Sequence, residues 1–395
     1  MSGAIAQGFA DAAAFVRYAR GLRGYMTNRL DEDECRRRIA ERLEHREDNL
    51  VKLLEERIFG TPGSPYRALF AEAGIELPEA VRTVRDEGVE GALGRFYDAG
   101  VYVRLDEFKG RVPIRRGALT LETRGEDFDN PHSNYVVTSS SSGSRGPARR
   151  TKLDFSYMEE NAVWGPITWR LEGMGERPYA MWRPVPPGGG LRSAMNHVKR
   201  GQPVDRWFTQ YPLVFTPKLA REYLMTRYTI RVSRRLGLPI PEPEHVPLDR
   251  AIVIARWLAE KRAQGTPAHF SAFASSGVRV CLAAKEAGLD VSGTLFRFGG
   301  EPLTEGKARI VEELGGTVYT GYAMAEVGRI GLTCFARIAR DEVHFSTDKL
   351  GVIQRDRDAG GATVGALLYT TLLPTSAKVL LNVESDDYGV IEERA

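Results

Sequence analysis

Asn134-Tyr135-Val136-Val137-Thr138-Ser139-Ser140-Ser141-Ser142-Gly143-Ser144-Arg145-Gly146-Pro147-Ala148-Arg149-Arg150 passes from a short apolar run into a donor-rich loop. A helical pattern over Phe155 to Leu171 follows it. The apolar run Asn134 to Val137 is expected to be a buried strand. Strand, loop and helix in that order form the unit from which α/β folds are built.

The loop has a chemistry of its own. Hydroxyls from Thr138 to Ser142 run into Gly143 and Gly146, with Arg145, Arg149 and Arg150 alongside. Glycines let the backbone approach a ligand closely. Backbone N–H groups, hydroxyls and guanidinium forks together suit a polyphosphate. No Gly-Lys-Ser/Thr follows at Walker spacing, so this is not a P-loop of that kind. A Ser-rich linker has the same composition, and the stretch by itself leaves both readings open.

Working outward, Phe128 to Leu373 alternates strand and helix patterns, which predicts an α/β architecture with ligands at the strand ends. Leu248 to Arg262 and Ala272 to Ala287 read as helices. Thr294 to Phe298 reads as a strand, followed by the loop Gly299-Gly300-Glu301-Pro302-Leu303 and a helix over Thr304 to Leu314. Thr317 to Thr320 is the next strand, and Gly321 to Gly328 the loop after it. Tyr179 to Phe208 is rich in Pro and Gly and reads as irregular, with Trp182, Met195, His197 and Trp207 as candidate lining of a substrate pocket or as core residues. Upstream, residues 1 to about 60 and Thr83 to Ala99 read as helices, and Val101 to Leu105 as a strand. Three consecutive regions are expected: a helical one over 1–125, an α/β core over 126–330 and a β-rich one over 331–395.

The chain is long enough, at 395 residues, for two or three structural units. Its formal charge of +3, from 55 basic and 52 acidic residues, gives no bulk attraction to nucleic acid or membrane. Cys35, Cys281 and Cys334 are odd in number and far apart, which suits a cytoplasmic protein without a disulfide framework. The Ala-rich start carries Asp11 and Arg17 and reads as neither signal peptide nor membrane span.

The loops share an order: Ser/Gly/Arg, Gly-Gly-Glu-Pro-Leu, Tyr322 to Glu326, then Ser385-Asp386-Asp387. In that order they resemble the adenylate-forming superfamily of acyl-CoA synthetases, adenylation domains and luciferases. Ser64-Pro65-Tyr66-Arg67, Ala73-Gly74-Ile75 and Asp106-Glu107-Phe108-Lys109 look like the N-terminal region of the phenylacetate-CoA ligase, coenzyme F390 synthetase and acyl-protein synthetase branch. The resemblance implies a large α/β N-terminal domain with a small β-rich subdomain and a helical N-terminal extension.

It also implies roles. Ser142, Gly143, Ser144, Arg145 and Gly146 match the phosphate loop, with Arg149 in place of its usual lysine. Gly299, Gly300, Glu301 and Pro302 match the loop along adenine. Tyr322 matches the base-stacking aromatic, Glu326 the magnesium-binding acid and Asp387 the ribose-binding aspartate. The pattern departs at Ala323, usually glycine, and at Ala325, usually a threonine near the α-phosphate. The family's mobile C-terminal lid is expected to be absent, since the sequence stops at Ala395.

The implied activity is that of an acid–thiol ligase. ATP with Mg²⁺ would activate a small carboxylic acid as an acyl-adenylate, and coenzyme A would accept the acyl group. Transfer to a protein or carrier thiol, a partner that supplies the lid, a homodimer, and a nucleotide-binding domain with impaired catalysis all stay open at this point. So does an unusual acid such as nitrite or an amino acid.

Overall fold

The computed structural model describes residues 2–140, 150–334 and 339–393. The loop residues 141–149, which include Ser142, Gly143, Ser144, Arg145, Gly146 and Arg149, lie outside the described residues. The chain divides into two units, each drawing on two separate segments. The first comprises Met1–Arg36 and Asn134–Phe345, the second Arg37–Ser133 and Ser346–Ala395. These units cut across the three consecutive regions expected from the sequence.

The first unit is built on a sheet of β1 (Tyr179–Trp182), β2 (Arg206–Thr209), β3 (Pro243–His245), β4 (His269–Phe273), β5 (Leu295–Gly299), β6 (Thr317–Met324), β7 (Gly328–Thr333) and β8 (Val343–Phe345). Among the described residues the spatial order is β8-β7-β6-β5-β4-β1-β2-β3. Strands β1 to β6 run parallel, and β7 and β8 add antiparallel edges beside β6. The chain moves outward from β1 to β3, then returns to the other side of β1 at β4. This reversal opens a crevice at the carboxyl ends of β1 and β4, where ligands of such sheets bind.

The alternation along each strand decides what each sheet face buries. Trp182, Phe208, Phe270, Phe296, Phe298 and Val318 point to one face and join one core with the helices Ile252–Ala263, Ala274–Glu286 and Glu305–Glu313. Each aromatic or branched side chain so buried contributes about 2–3 kcal/mol. The helix after β4 sits close on the sheet because Gly277 faces Phe298: a Cβ there would lie 2.0 Å from the ring. The opposite face carries Tyr179, His269 and Arg297, and it is covered by Trp169 and His197. Glu172 pairs with Arg297 at 3.1 Å beneath that cover.

Tyr179 to Phe208 is regular, contrary to its sequence reading. It holds β1, the helix Gly190–Lys199 and most of β2. The prolines and glycines that suggested irregularity fall in two connections, Pro184 to Gly190, which includes a cis Pro186–Pro187 bond, and the short link with Gly201 and Pro203 before β2. Phe155 to Leu171 is two helices, Phe155–Ala162 and Trp164–Leu171. Pro166 lacks the N–H that would reach Ala162, which accounts for the break. The strand expected over Asn134 to Val137 lies later, as Val137–Ser140 paired with Arg150–Leu153.

The second unit holds β9 (Leu350–Asp358), β10 (Thr363–Thr371) and β11 (Val383–Tyr388) in one antiparallel sheet. The helix Leu77–Asp98 packs on it, and a Cβ on Gly351 of β9 would come within 2.6 Å of Leu93. Val101 to Leu105 is not a strand here, since only Val103 bridges to Val383 and a helical turn starts at Leu105. Within that turn, Glu107 is buried and accepts from the Arg104 N–H at 2.8 Å and from Arg116 Nη1 and Nη2 at 2.9 and 3.0 Å. Arg116 also lies over the Tyr102 ring at 3.8 Å. No described helix is long and apolar enough to cross a membrane.

Candidate active site at the sheet edge

The carboxyl edge of the first unit's sheet brings Phe273, Gly299 and Gly321 side by side, at matching register positions on β4, β5 and β6. Arg183, the residue after β1, reaches toward the same row. Its Nη2 donates to Ser271 Oγ at 3.2 Å, and its guanidinium lies 4.9 Å from the Phe273 ring centroid.

Gly300 follows directly with φ +75°, and a Cβ there would meet the Phe273 ring at 2.8 Å. Both facts require glycine. Glu301 then turns back. Its carboxylate accepts from the Ser275 N–H at 2.8 Å and from the Ser275 hydroxyl, and pairs with Lys307 Nζ at 3.4 Å. Ser275 lies in the first turn of the helix Ala274–Glu286, where backbone N–H groups lack helical partners. Burial raises the Glu301 carboxyl, but the two Ser275 hydrogen bonds and Lys307 outweigh it and hold it below the ordinary value. The acid of the Gly-Gly-Glu-Pro loop thus clamps the loop to the neighbouring helix. Pro302 contributes its carbonyl to Lys307 at 3.1 Å.

The Tyr322 to Glu326 segment differs from a free loop. Strand β6 continues through Tyr322 and Ala323 to Met324, and a bulge between Tyr322 and Ala323 re-aims the side chains. Tyr322 is half-buried opposite Gly331, Ala323 is exposed, and Glu326 sits half-buried at the turn into β7. Helix Phe155–Ala162 pins this turn. Tyr157 Oη donates to the Ala325 carbonyl at 3.3 Å, and Asn161 Oδ1 accepts from the Arg329 N–H at 3.2 Å. Burial pushes the Tyr157 phenol up, with Arg192 opposing and Glu326 adding to the shift, so it stays a neutral donor beside the Glu326 carboxylate. Gly328, at φ +73°, leaves room for Asn161 at a point where a Cβ would collide with it.

The remaining candidates have the following surroundings. Trp182 is wholly buried in the core and donates to the Val246 carbonyl at 3.0 Å. Trp207 donates to the Arg183 carbonyl at 2.9 Å. Met195 lines a cleft, with the Tyr18 hydroxyl 3.5 Å from its sulfur. His197 stacks on Tyr179 at 3.8 Å. Asp387 belongs to the second unit, exposed on β11, where its N–H donates to Ser385 Oγ at 3.2 Å. Among the described residues no group of three His, Cys, Asp or Glu side chains could hold a metal ion.

Sequence reasoning missed Arg183, Ser275, Tyr157 and Asn161. Arg183 carried a signal, because it directly follows the apolar run Tyr179 to Trp182, but the run was read as irregular. The other three act on segments distant in sequence, and their neighbours along the chain give no hint of it.

The buried histidines make a separate prediction. His197 is held well below its ordinary value by burial first, then by Arg200, His269 and Arg297. His269 is held down by burial, then by Arg297, Arg177 and Arg200. A histidine kept neutral when folded stabilises the fold fully above its unfolded pKa of about 6.5, and that stability is lost as pH falls below it. Urea midpoints should therefore drop between about pH 7.5 and pH 5, and less steeply in His269→Phe. An identical slope in the variant would refute the assignment.

No protein-family model matches the chain, and no curated protein matches it by sequence. Solved structures do match. The structure of 2-hydroxyisobutyryl-CoA ligase in complex with 2-HIB-AMP and CoA is similar at a TM-score of 0.50, with 20% identity, covering 88% of this chain and 63% of that one. VinN in complex with L-aspartate gives a TM-score of 0.39 at 14% identity, covering 84% and 75%. ATP-bound MatB from Rhodopseudomonas palustris gives 0.32 at 11%, covering 66% and 42%. The first of these carries the comparison and establishes the fold; the chain spans less than two thirds of that ligase's length.

Proposed function

We propose that this chain, which has the fold of the large domain of the adenylate-forming ligases, activates a carboxylic acid with ATP. A carboxylate oxygen attacks the α-phosphorus, the bond to the β-phosphate oxygen breaks, and pyrophosphate leaves. A thiol, for which coenzyme A is the first choice, then attacks the acyl carbon and AMP departs. The observation that carries this reading is the sheet edge itself. A glycine pair tied down by Glu301, a re-aimed Tyr322 and a pinned Glu326 turn all belong to one mostly parallel sheet, at the carboxyl ends of its parallel strands.

In this reading the Gly299–Gly300 backbone lies along adenine and Tyr322 stacks on it. Arg145, Arg149 and the donors of Ser142 to Gly146 hold the departing pyrophosphate. Glu326 is the residue that would hold Mg²⁺. Such an ion is typically shared between one or two carboxylates, phosphate oxygens and water, so a single half-buried carboxylate suits it. When bound, the ion supplies charge neutralisation at the phosphates. Asp387 is proposed to accept the ribose hydroxyls, and its test is independent of the others. Asp387→Ala should weaken ATP binding by roughly 10–100-fold in calorimetry, the effect of about 1–3 kcal/mol of lost hydrogen bonding.

Exchange of radiolabelled pyrophosphate into ATP across a panel of acids, with and without coenzyme A, tests the reading. Acid-dependent exchange that needs no coenzyme A is expected. A protein that binds no ATP by calorimetry would overturn it. Acyl transfer to coenzyme A against transfer to a carrier-protein thiol, measured on the same preparation, separates the two acceptors.

A further inference from the structure

The near-neutral total charge conceals a local excess. Two helices of the first unit, Ser2–Thr27 and Ala220–Arg235, lie side by side and run the same way. Asp11 pairs with Arg221, and further along both helices the Tyr228 hydroxyl donates to the Ala19 carbonyl at 3.3 Å. The inner side of this seam is closed, because the Tyr18 and Thr229 hydroxyls share a hydrogen bond of 2.5 Å and both residues are fully buried. Ala19 and Tyr228 are each one residue away from that pair, about 100° round their helices, and mark the outer side.

On the outer side the exposed positions form two stripes. Val16, Arg20 and Arg23 recur at i, i+4 and i+7 on the first helix, and Leu224, Arg231 and Arg235 at i, i+7 and i+11 on the second. Arg20, Arg23, Arg231 and Arg235 make no hydrogen bond or ion pair among the described residues. No acid is left to meet them on these helices. Asp11 and Glu222 are the only two, and both pair with Arg221. Glu242, from the chain beyond, is shared between Arg227 and Arg234.

An apolar loop adjoins the stripes. Tyr211-Pro212-Leu213-Val214-Phe215 leads from β2 toward the second helix, with Tyr211 67%, Val214 49% and Phe215 60% exposed, and Leu224 near the helix start is 52% exposed. The loop is held in place at its far end. Thr216 Oγ1 accepts from the Leu219 N–H at 3.2 Å, and the Phe215 ring meets Tyr223 edge-on at 5.6 Å. Large apolar side chains gathered on a surface mark an interaction site. Unpaired guanidiniums beside them call for an anionic partner. A nucleic-acid backbone would satisfy the arginines and leave Val214, Phe215 and Leu224 wet. A bilayer with anionic headgroups satisfies both, since phosphates meet the arginines while aromatic and aliphatic tips enter the boundary with the acyl chains.

We propose that this face, the outer side of the two helices with the loop Tyr211 to Phe215, docks the chain on an anionic lipid surface. The contact is peripheral and uses local rather than total charge. It does not depend on the adenylation reading and would hold if that reading failed.

Co-sedimentation of the full chain with phosphatidylcholine vesicles, with and without about a third phosphatidylglycerol, tests this. Binding is expected to the anionic vesicles and should fall as salt rises from about 0.1 to 0.5 M. Arg231→Gln together with Arg235→Gln should weaken it about 25-fold, roughly fivefold for each arginine. Phe215→Ser with Leu224→Ser should remove the binding that survives high salt. These side chains are exposed, so urea midpoints and pyrophosphate exchange should match those of the unchanged chain. In Phe215→Trp, vesicles with brominated acyl chains should quench tryptophan emission beyond the quenching seen in the unchanged chain. Absence of binding to anionic vesicles at low salt, binding that ignores both pairs of substitutions, or no added quenching in Phe215→Trp would overturn the proposal. So would tighter binding to polyglutamate or to duplex DNA than to the vesicles, which would assign the arginines to an acidic protein or to nucleic acid.

Discussion

Glu326→Gln is expected to lower pyrophosphate exchange by about a hundredfold or more and to weaken its dependence on magnesium. The substitution keeps the shape of the side chain and deletes the charge. Losing one preorganised charge at a phosphoryl centre typically costs on that scale. The turn should survive, because its geometry rests on other groups: Tyr157 on the Ala325 carbonyl, Asn161 on the Arg329 N–H, and Gly328 with its positive φ. Tyr157→Phe removes one of these supports and should cost only severalfold, in line with about 1 kcal/mol for a single hydrogen bond. A Glu326→Gln variant with unchanged exchange and an unchanged magnesium titration would remove Glu326 from the proposed mechanism.

Arg116→Met should destabilise the second unit by about 3–5 kcal/mol, because it strands the Glu107 carboxylate. Glu107 is 4% exposed and would keep only the Arg104 N–H from its present set of donors. The change also removes the guanidinium from the Tyr102 ring and from the carbonyls of Gly100 and Tyr102. Pairing it with Glu107→Gln should recover part of the loss, since the uncompensated charge is then gone. Urea unfolding of the two single variants and the double variant measures this directly. A cycle in which the two single costs simply add would show that the pair does not act as a unit.

What could be read in advance follows from how local each signal is. Glycine pairs after apolar runs announce turns at strand ends, so the Gly299 to Pro302 loop was legible from its own residues. So was the alternation of Phe296 and Phe298 with Arg297, which sets one sheet face apolar and the other polar. The Tyr322 to Glu326 segment was legible as a connection but not as a strand with a bulge, because the pairing of β6 with β7 is decided by Gly331 and Thr333 across the hairpin. The strand of Tyr179 to Trp182 was hidden by the prolines beyond it. Glu301 reads as part of the loop along adenine, and its carboxylate's hold on Ser275, a partner 26 residues earlier, was not legible. Partnerships of this sort have no periodicity.

The division into two-segment units has a consequence for biosynthesis. The helices between Arg37 and Ser133 emerge from the ribosome long before the strands of Ser346 to Ala395 that complete their unit. Until then the apolar side of Leu77–Asp98, including Val89 and Leu93 that meet Gly351, has no sheet to cover it. Cotranslational folding normally proceeds from the N-terminus as domains are completed. This nascent chain must instead keep an early segment soluble while the larger sheet forms. A premature stop after Phe345 would therefore be expected to yield aggregation-prone material rather than a shortened but sound protein.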